Sequence, residues 1–403
     1  MYAECEMYAG CEMYAACEMK GEPKMSIEDS RNEINEIDAK LVKLLEERMR
    51  AAEEIAEYKK EQGLPIEDAR REREHLDEIT EESSPDLAGY NRILFRSIFE
   101  MSKDHQYGIA GGNSKIVEEV RSALANTPED FPDAPNVACQ GTLGAFAQEA
   151  CDKLFKRPKI MYTKNFRGVF AAIESGLCEF GVLPVENSTA GSVNQVYDLM
   201  MEYNFHIARR AKLKIDHSLL ANPGTKISDI KEIVSHPQAL SQCEEYLKRF
   251  PMAKITGCEN TAAAAKMVSE SGRHDVAAIC SAGCGKLYGL ENLDSGIQDS
   301  DNNYTRFICI TKDLRIYPGA DKTSLMMTLE HKPGSLYNVL SRFNALGINL
   351  EKLESRPMPS KDFEFMFYFD IAESVYSDEF IRMLYQLDAM SPDLEYLGSY
   401  REI

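Results

Sequence analysis

Asn302-Asn303-Tyr304-Thr305-Arg306-Phe307 runs directly into Ile308-Cys309-Ile310. An apolar run entered from polar turn residues reads as a buried strand whose mouth opens on a loop. Thr305 and Arg306 stand at that mouth, a hydroxyl beside a fixed cation. A cation binds a carboxylate; a hydroxyl donates a proton to a departing group or positions a water that does. Thr305 is therefore a candidate acid or water-positioner, and Arg306 a candidate carboxylate contact or structural cation. Two stretches precede this strand: Gly-Val-Leu-Pro-Val-Glu-Asn-Ser-Thr-Ala-Gly-Ser-Val at 181–193 and Ser-His-Pro-Gln-Ala-Leu-Ser-Gln-Cys at 235–243. In the first, a strand over 180–183 delivers Glu186, Asn187, Ser188 and Thr189 to its C-terminal end, where open α/β sheets place ligands. In the second, His236 beside Pro237 acts as a base or only shapes the turn, and Gln238 is the favoured substrate contact.

Upstream, Val137-Ala138-Cys139 reads as a strand and Gly141-Thr142-Leu143-Gly144-Ala145-Phe146 as a turn into a helix. Such turns present backbone N–H groups to an anion, and a packing turn fits equally. A second lobe starts near 214–220, with a helix over 261–268 and a strand over 276–280, before the chain returns through 302–310. Together the three ordered motifs closely resemble the prephenate dehydratase family over 136–312. The resemblance implies two α/β lobes with a cleft, similar to type II periplasmic-binding folds. It assigns substrate contacts to Thr142, Glu186, Asn187, Ser188, Gln238, Thr305 and Arg306. That family commonly has Ser where Ala147 stands, which removes one hydroxyl contact.

Residues 26–60 form a long helical pattern without Gly or Pro, with Ile34, Ile37, Leu41, Leu44, Leu45, Ile55 and Tyr58 at helical spacing. Arg48 falls on the same seam, where a cation needs an anion. Arg48 and Lys59 point the same way, roughly 16 Å apart along the axis, so their long side chains can close on a small dianion. Arg31 sits roughly 25 Å from Arg48, too far to share that ligand on one straight helix; if it also binds the substrate, it must come from another chain. Gln62-Gly63-Leu64-Pro65 ends the helix; Asp68 opens a second, followed by Arg71 and Glu72. A third spans 86–105 on the apolar face Leu87, Tyr90, Leu94, Ile98 and Met101, with Ser102 and Gln106 at i, i+4 able to address one ligand. A charged helical bundle accounts for the same pattern. Over 27–107 the chain is similar to the all-helical chorismate mutase family, which maps Arg31, Arg48, Lys59, Asp68, Arg71, Glu72, Ser102 and Gln106 onto binding residues. Lys59 and Gln106 would be catalytic. The resemblance implies an intertwined dimer whose first-helix arginine crosses into the partner's site.

Residues 321–403 read strand, helix, strand, strand, helix, strand, with strands at 324–329, 348–353, 364–370 and 394–400 and helices at 335–346 and 377–387. Phe363, Phe365, Phe367 and Phe369 alternate with Glu364, Met366, Tyr368 and Asp370, one aromatic face of a covered sheet. This βαββαβ order is similar to ACT amino-acid-sensing domains. His331-Lys332-Pro333-Gly334-Ser335-Leu336 and Glu354-Ser355-Arg356-Pro357 resemble the effector loops of phenylalanine-regulated dehydratases. The implied effector contacts are Gly334, Ser335, Leu336, Glu354, Ser355 and Arg356, with Ser335 in place of a common Ala. A dimerisation module is the alternative use of this fold.

The expected organisation is therefore multidomain α and α/β. A repeat-containing extension (1–25) precedes a helical mutase bundle (26–107) and a linker (108–135). A two-lobed dehydratase domain (136–313) and an ACT domain (321–403) follow. The extension repeats Met-Tyr-Ala-x-Cys-Glu three times, too briefly to bury a core. A formal charge of −20 argues against nucleic acid or an anionic membrane as general partners, and requires local features to draw in an anionic substrate. Eleven cysteines without paired spacing indicate neither a disulfide framework nor a zinc site, and fit a reducing cytoplasm. The expected chemistry takes chorismate to prephenate and prephenate to phenylpyruvate, with phenylalanine as effector, a homo-oligomer as the working form, and no cofactor or metal. Arogenate dehydration and a non-catalytic amino-acid sensor are the alternatives.

Overall fold

The structure, a computed structural model, describes residues 26–110, 114–358, 365–391 and 393–403. The hexapeptide repeat, Gly111-Gly112 and Phe363-Glu364 lie outside them. The chain divides into a helical unit ending at Ala110 and an α/β unit from residue 111 onward.

The helical unit contains α1 (Ile27–Gln62), α2 (Ala69–Glu82) and α3 (Ala88–Ala110). Ser26 and Asp29 form a reciprocal capping box that starts α1, and Gly63, at φ +64°, ends it. Asp68 caps α2 by accepting from the Arg71 N–H at 3.0 Å. Burial differs from the expected seam. Ala52 and Ala56 are the buried residues of α1, and Leu76, Ile79 and Phe99 form a small core with α2 and α3. Ile34, Ile37, Leu41, Leu44, Ile55 and Tyr58 on α1, with Leu87, Tyr90, Leu94 and Met101 beside or on α3, are exposed. Their periodicity identifies an apolar face but not what covers it. Small alanines let α1 approach its neighbour closely, so the larger apolar residues are left on the outside.

In the α/β unit, α4 (Lys115–Asn126) precedes β1 (Asn136–Gln140), α5 (Phe146–Leu154), β2 (Lys159–Thr163), α6 (Phe166–Glu174), β3 (Phe180–Asn187), β4 (Gly191–Ser192), α7 (Asn194–Tyr203) and β5 (His206–Lys214). Next come β6 (Ser218–Ala221), β7 (Glu232–Ser235), α8 (Pro237–Ser241), α9 (Glu244–Leu247), β8 (Lys254–Gly257), α10 (Thr261–Ser271), β9 (Val276–Cys280), α11 (Gly283–Tyr288) and β10 (Glu291–Ser295). β11 (Tyr304–Thr311) then returns to the first sheet, in the order β2-β1-β3-β11-β5 with β4 paired to β3. β1, β2 and β3 are parallel, and β11 is antiparallel to both β3 and β5. The second sheet has the order β10-β6-β9-β7-β8.

β12 (Lys322–Leu329), α12 (Ser335–Ala345), β13 (Asn349–Pro357), β14 (Phe365–Ala372), α13 (Asp378–Met390) and β15 (Glu395–Tyr400) complete the chain. Their antiparallel sheet has the order β13-β14-β12-β15, as the βαββαβ pattern requires. The stretch expected as a linker contains α4, and Ile116, Val117, Val120 and Ala123 are buried in one core with β12, β14 and α13. The helical run near 116–124 is legible in the sequence, but the surrounding Gly and Pro residues make the stretch read as a linker and give no sign that the helix is buried. A second core mixes β3, β5, α6 and α7 with Met326, Met366, Tyr368, Leu397 and Tyr400, so the C-terminal sheet packs on the first lobe. No helix among the described residues is long and apolar enough to cross a membrane.

Gly398 marks how close these layers come: its φ is +138°, and an added Cβ would collide with the Ile207 carbonyl oxygen of β5. Gly398→Ala is expected to destabilise the α/β unit by about 1–3 kcal/mol. Gly257→Ala, whose methyl group meets only Pro237 at 3.7 Å, should change stability by less than about 1 kcal/mol. Urea unfolding of both variants tests the contrast; equal midpoints would contradict it.

Candidate functional sites

In the helical unit, Arg48 donates to the Ser102 hydroxyl, and its guanidinium lies 5.4 Å from the centre of the Phe99 ring. Burial presses its pKa down. Ser102 and Gln106 are both buried on α3, and the Gln106 side-chain oxygen has no partner among the described residues. These three residues gather as their spacing suggests. Lys59 instead donates to the Ile66 carbonyl. Glu72 meets Lys103 at 3.4 Å, and Lys103 also meets Glu100 at 2.7 Å. Burial raises the Glu72 pKa, against the pull of Lys103. Lys103 escaped the sequence reading because a lysine on a charged helix carries no distinguishing pattern. Asp68 is occupied as a cap, exposed Arg71 lies 3.7 Å from Glu78, and Arg31 stands exposed near the start of α1.

In the α/β unit a cleft of about 420 Å³ is lined by both lobes. β3 and β11 pair so that Thr305 stands opposite Asn187. Thr305 and Phe307 line the cleft, whereas Arg306 points to the other face of the strand. There it meets Glu186 at 2.9 Å and Glu402 at 3.4 Å. Of the two roles left open for Arg306, this geometry is that of a structural cation, because neighbouring strand residues alternate faces. Glu186 is likewise outside the cleft, held by Arg306 and, at 3.1 Å, by Lys352 of β13. Burial opposes its charge, but these two cations outweigh burial and its pKa is lowered. Ser188 fastens the strand mouth by donating to the Asn302 carbonyl at 2.6 Å and accepting from the Tyr304 N–H at 2.9 Å. Thr142 is not among the lining residues; its hydroxyl donates to Asn260 Oδ1 at 3.4 Å. Gln238 and His236 both line the cleft, and His236 Nδ1 accepts from the Gln238 N–H at 3.2 Å.

No Lys or Arg is among the described residues lining this cleft. Instead, the starts of α5, α8 and α10 converge on it through Ala145 and Phe146, His236 and Gln238, and Asn260 and Thr261. Ala145 gives no side-chain cap to α5. First-turn N–H groups suit a carboxylate without a side-chain cation. Asn187 Nδ2 donates to Thr305 Oγ1 at 3.0 Å and to Asn303 Oδ1 at 2.8 Å. With a lone pair of Thr305 taken, its own hydrogen is left to donate elsewhere, and Thr305 lines the cleft. Asn303 and Gln242 extend this network; both lie inside the quoted motifs, but uncharged amides give no signal of their own.

The family model for prephenate dehydratase matches residues 137–315, and that for type II chorismate mutase residues 30–107. A protein of Enterobacter agglomerans named bifunctional chorismate mutase/prephenate dehydratase is 31% identical over 379 residues, covering 92% of this chain and 94% of its own. The chain belongs to the bifunctional chorismate mutase/prephenate dehydratase family. Arogenate dehydratase/prephenate dehydratase 2 of Arabidopsis thaliana is 37% identical, over 66% of this chain and 72% of that protein. A crystal structure of prephenate dehydratase from Arthrobacter aurescens in complex with L-Phe is similar with a TM-score of 0.61 at 29% identity, covering 66% of this chain and 89% of that one.

The residues lining the cleft fall within the stretch matched by the dehydratase model, and Arg48, Ser102 and Gln106 within that matched by the mutase model. Thr305→Ala should lower kcat on prephenate by about 10²–10⁴-fold, the range for a lost proton donor. Asn187→Asp keeps the shape but removes the N–H aimed at Thr305, and should also lower kcat. Phenylpyruvate formation measures both; an Asn187→Asp enzyme with wild-type kcat would remove Asn187 from the proton-donor arrangement.

Proposed function

We propose that the helical unit (26–107) rearranges chorismate to prephenate and that the α/β domain (136–313) converts prephenate to phenylpyruvate, water and carbon dioxide. Residues 321–403 act as an ACT domain through which phenylalanine inhibits the second step. The two-lobed cleft is read as similar to type II periplasmic-binding folds.

The first reaction is pericyclic and needs no nucleophile, only a compact geometry and stabilised charge. Arg48, steadied by Ser102 and Phe99, is placed to take a carboxylate. The Gln106 amide, through its N–H, and Lys59, once turned from the Ile66 carbonyl it meets here, would stabilise the charge that develops on the ether oxygen. Arg31 contributes from a second copy of the chain, a reading supported by its distance from Arg48 and by the exposed apolar stripes of α1 and α3. In the second reaction, the C–C bond to the ring carboxylate and the ring C–O bond break. The electron pair released as carbon dioxide leaves aromatises the ring, and the departing hydroxide takes a proton from Thr305 or a water that Thr305 holds. The Asn187-to-Thr305 hydrogen bond is the observation that carries this reading, since it leaves the threonine as donor.

Phenylalanine control is supported by the L-Phe complex of the Arthrobacter aurescens relative. Gly334, at φ +96°, begins α12 without a side-chain cap, which suits an amino-acid carboxylate at Ser335 and Leu336. Glu354 accepts from the Ser192 hydroxyl, and Arg356 makes a two-pronged contact with Asp198 of α7 at 2.9 and 3.1 Å. The strand carrying the second effector motif therefore touches the catalytic lobe, giving binding a route to the cleft.

Arg48→Ala should lower chorismate turnover about 100-fold or more while leaving added prephenate a substrate. Loss of both activities in a folded variant would contradict separate sites. Mixing Arg31→Ala and Arg48→Ala chains should restore part of the mutase activity, and verified heterodimers without recovery would sink the shared site. Ser335→Glu places a carboxylate at the start of α12 that helix geometry tolerates. It should abolish phenylalanine inhibition with prephenate turnover intact; retained inhibition removes this loop from the effector site. Parallel assays with prephenate and arogenate test the substrate named for the Arabidopsis relative.

A further inference from the structure

The network around Thr305 has a direction fixed by the backbone. The N–H groups of Thr189 and Ala190 donate to Asn187 Oδ1 at 3.1 and 2.9 Å. A backbone N–H only donates, so Asn187 Oδ1 is an acceptor and its Nδ2 a donor. Nδ2 accordingly donates to Asn303 Oδ1 and Thr305 Oγ1. With its oxygen so identified, Asn303 donates through Nδ2 to Gln242 Oε1 at 3.1 Å. Gln242 Nε2 then faces Thr189 Oγ1 at 3.0 Å and Asn187 Oδ1 at 3.4 Å. His217 Nε2 lies 3.0 Å from the same Gln242 Oε1. Since that oxygen accepts, Nε2 carries the imidazole hydrogen and Nδ1 is a bare lone pair. Nδ1 is buried and has no partner among the described residues. His217 itself is 1% exposed, and its ring lies edge-to-face with Phe146 at 5.7 Å.

We propose that His217 is a positioning residue of the dehydratase: as the neutral tautomer with hydrogen on Nε2, it joins Asn303 in holding the Gln242 amide with Nε2 on Thr189 and Asn187, bracing the Asn187 amide that the backbone aims at Thr305. This rests on the dehydratase reading. His217 does not touch the reacting atoms in this arrangement; it acts through Gln242. A charged imidazole would bury a second N–H, on Nδ1, without an acceptor. Burial keeps the His217 pKa below the usual histidine range, against smaller upward pulls from Gln242 and Asp216. Asp216, beside it in sequence, receives a hydrogen bond from Gln298 Nε2 at 3.0 Å. Phe146, Gln242 and Gln298, from the segments packed on it, carry no charge, and His236 and Glu259 are the other titratable groups lining the cleft. With a depressed folded-state pKa, the neutral ring's contribution to stability is complete above the unfolded pKa of about 6.5. It is lost as pH falls through the folded value.

The test uses the full chain with added prephenate, measuring kcat, KM and thermal melts against pH for wild type, His217→Leu and His217→Gln. Glutamine can place an N–H near the Nε2 position and cannot titrate; leucine fills space without a donor. His217→Leu should lose kcat by about 10-fold, as expected when a half-buried acceptor loses one of its two donors, with a smaller change in KM. His217→Gln should recover most of that loss, flatten the acid limb of kcat, and lose less melting temperature on acidification than wild type. Wild-type kcat in His217→Leu overturns the proposal. So does a folded His217→Gln enzyme as impaired as the leucine variant, or one whose acid limb is unchanged, which assigns that limb to His236 or Glu259. If the leucine variant does not fold, the kcat and pH profile of the glutamine variant decide alone. Wild type inert toward prephenate would instead sink the dehydratase reading, which the melts do not depend on.

Discussion

The dehydratase half of the molecule depends on the pairing of β11 between β3 and β5. The strand arrives only after the chain has built an entire second sheet, and it enters antiparallel to both neighbours. Its pleat sends Thr305, Phe307 and Cys309 toward α5 and the cleft, and Arg306, Ile308 and Ile310 toward α6, α7 and the C-terminal sheet. A slip of one residue would turn the guanidinium into the cleft and the hydroxyl away from Asn187. The buried Ile308, Cys309 and Ile310 guard against that slip, because it would exchange two differently shaped cores.

A second constraint holds the C-terminal sheet on this lobe. Arg210 of β5, 1% exposed, meets Asp370 and Glu351, each at 2.8 Å. Glu402 is 2.6 Å from its Nε, an ion pair by distance in which the N–H is not aligned as a hydrogen bond. Lys322 shares Glu351, and the Ser324 hydroxyl shares Asp370. Desolvating these charges is costly, so the cluster specifies the joint more than it strengthens it. Glu402 also faces Arg306, which faces Glu186, which faces Lys352. The reverse side of β11 is thus wired by charge to β13.

Much of this was legible in the sequence. Apolar runs and their polar mouths placed β3, β9, β11 and the C-terminal strands, and the family resemblance named Asn187 and Thr305 for one site, though not their contact with each other. Strand alternation alone separates Thr305 from Arg306, although family resemblance groups them. Burial was harder to read. The stripes on α1 and α3 have the right period yet lie exposed in the single chain, because period fixes a face and not its cover. The helical run of α4 is visible between glycines and prolines, but those neighbours make it read as part of a linker and not as a buried helix. His217, Gln242 and Asn303 remained unmarked because their importance lies in hydrogen-bond direction, which no periodicity encodes.

The mixed core beneath the C-terminal sheet has a consequence for how such a protein can be inherited. Met326, Met366, Tyr368, Leu397 and Tyr400 fill the same interior as Leu183, Val196 and Ile207. The segment 115–126, far upstream, fills the other side of that sheet. A genetic exchange anywhere between residues 127 and 321 would therefore join halves of interiors shaped by different histories. The C-terminal domain cannot be borrowed as a cassette. It, the catalytic lobe and the helix that introduces them must descend together, and adaptation on one side of the joint must be answered on the other.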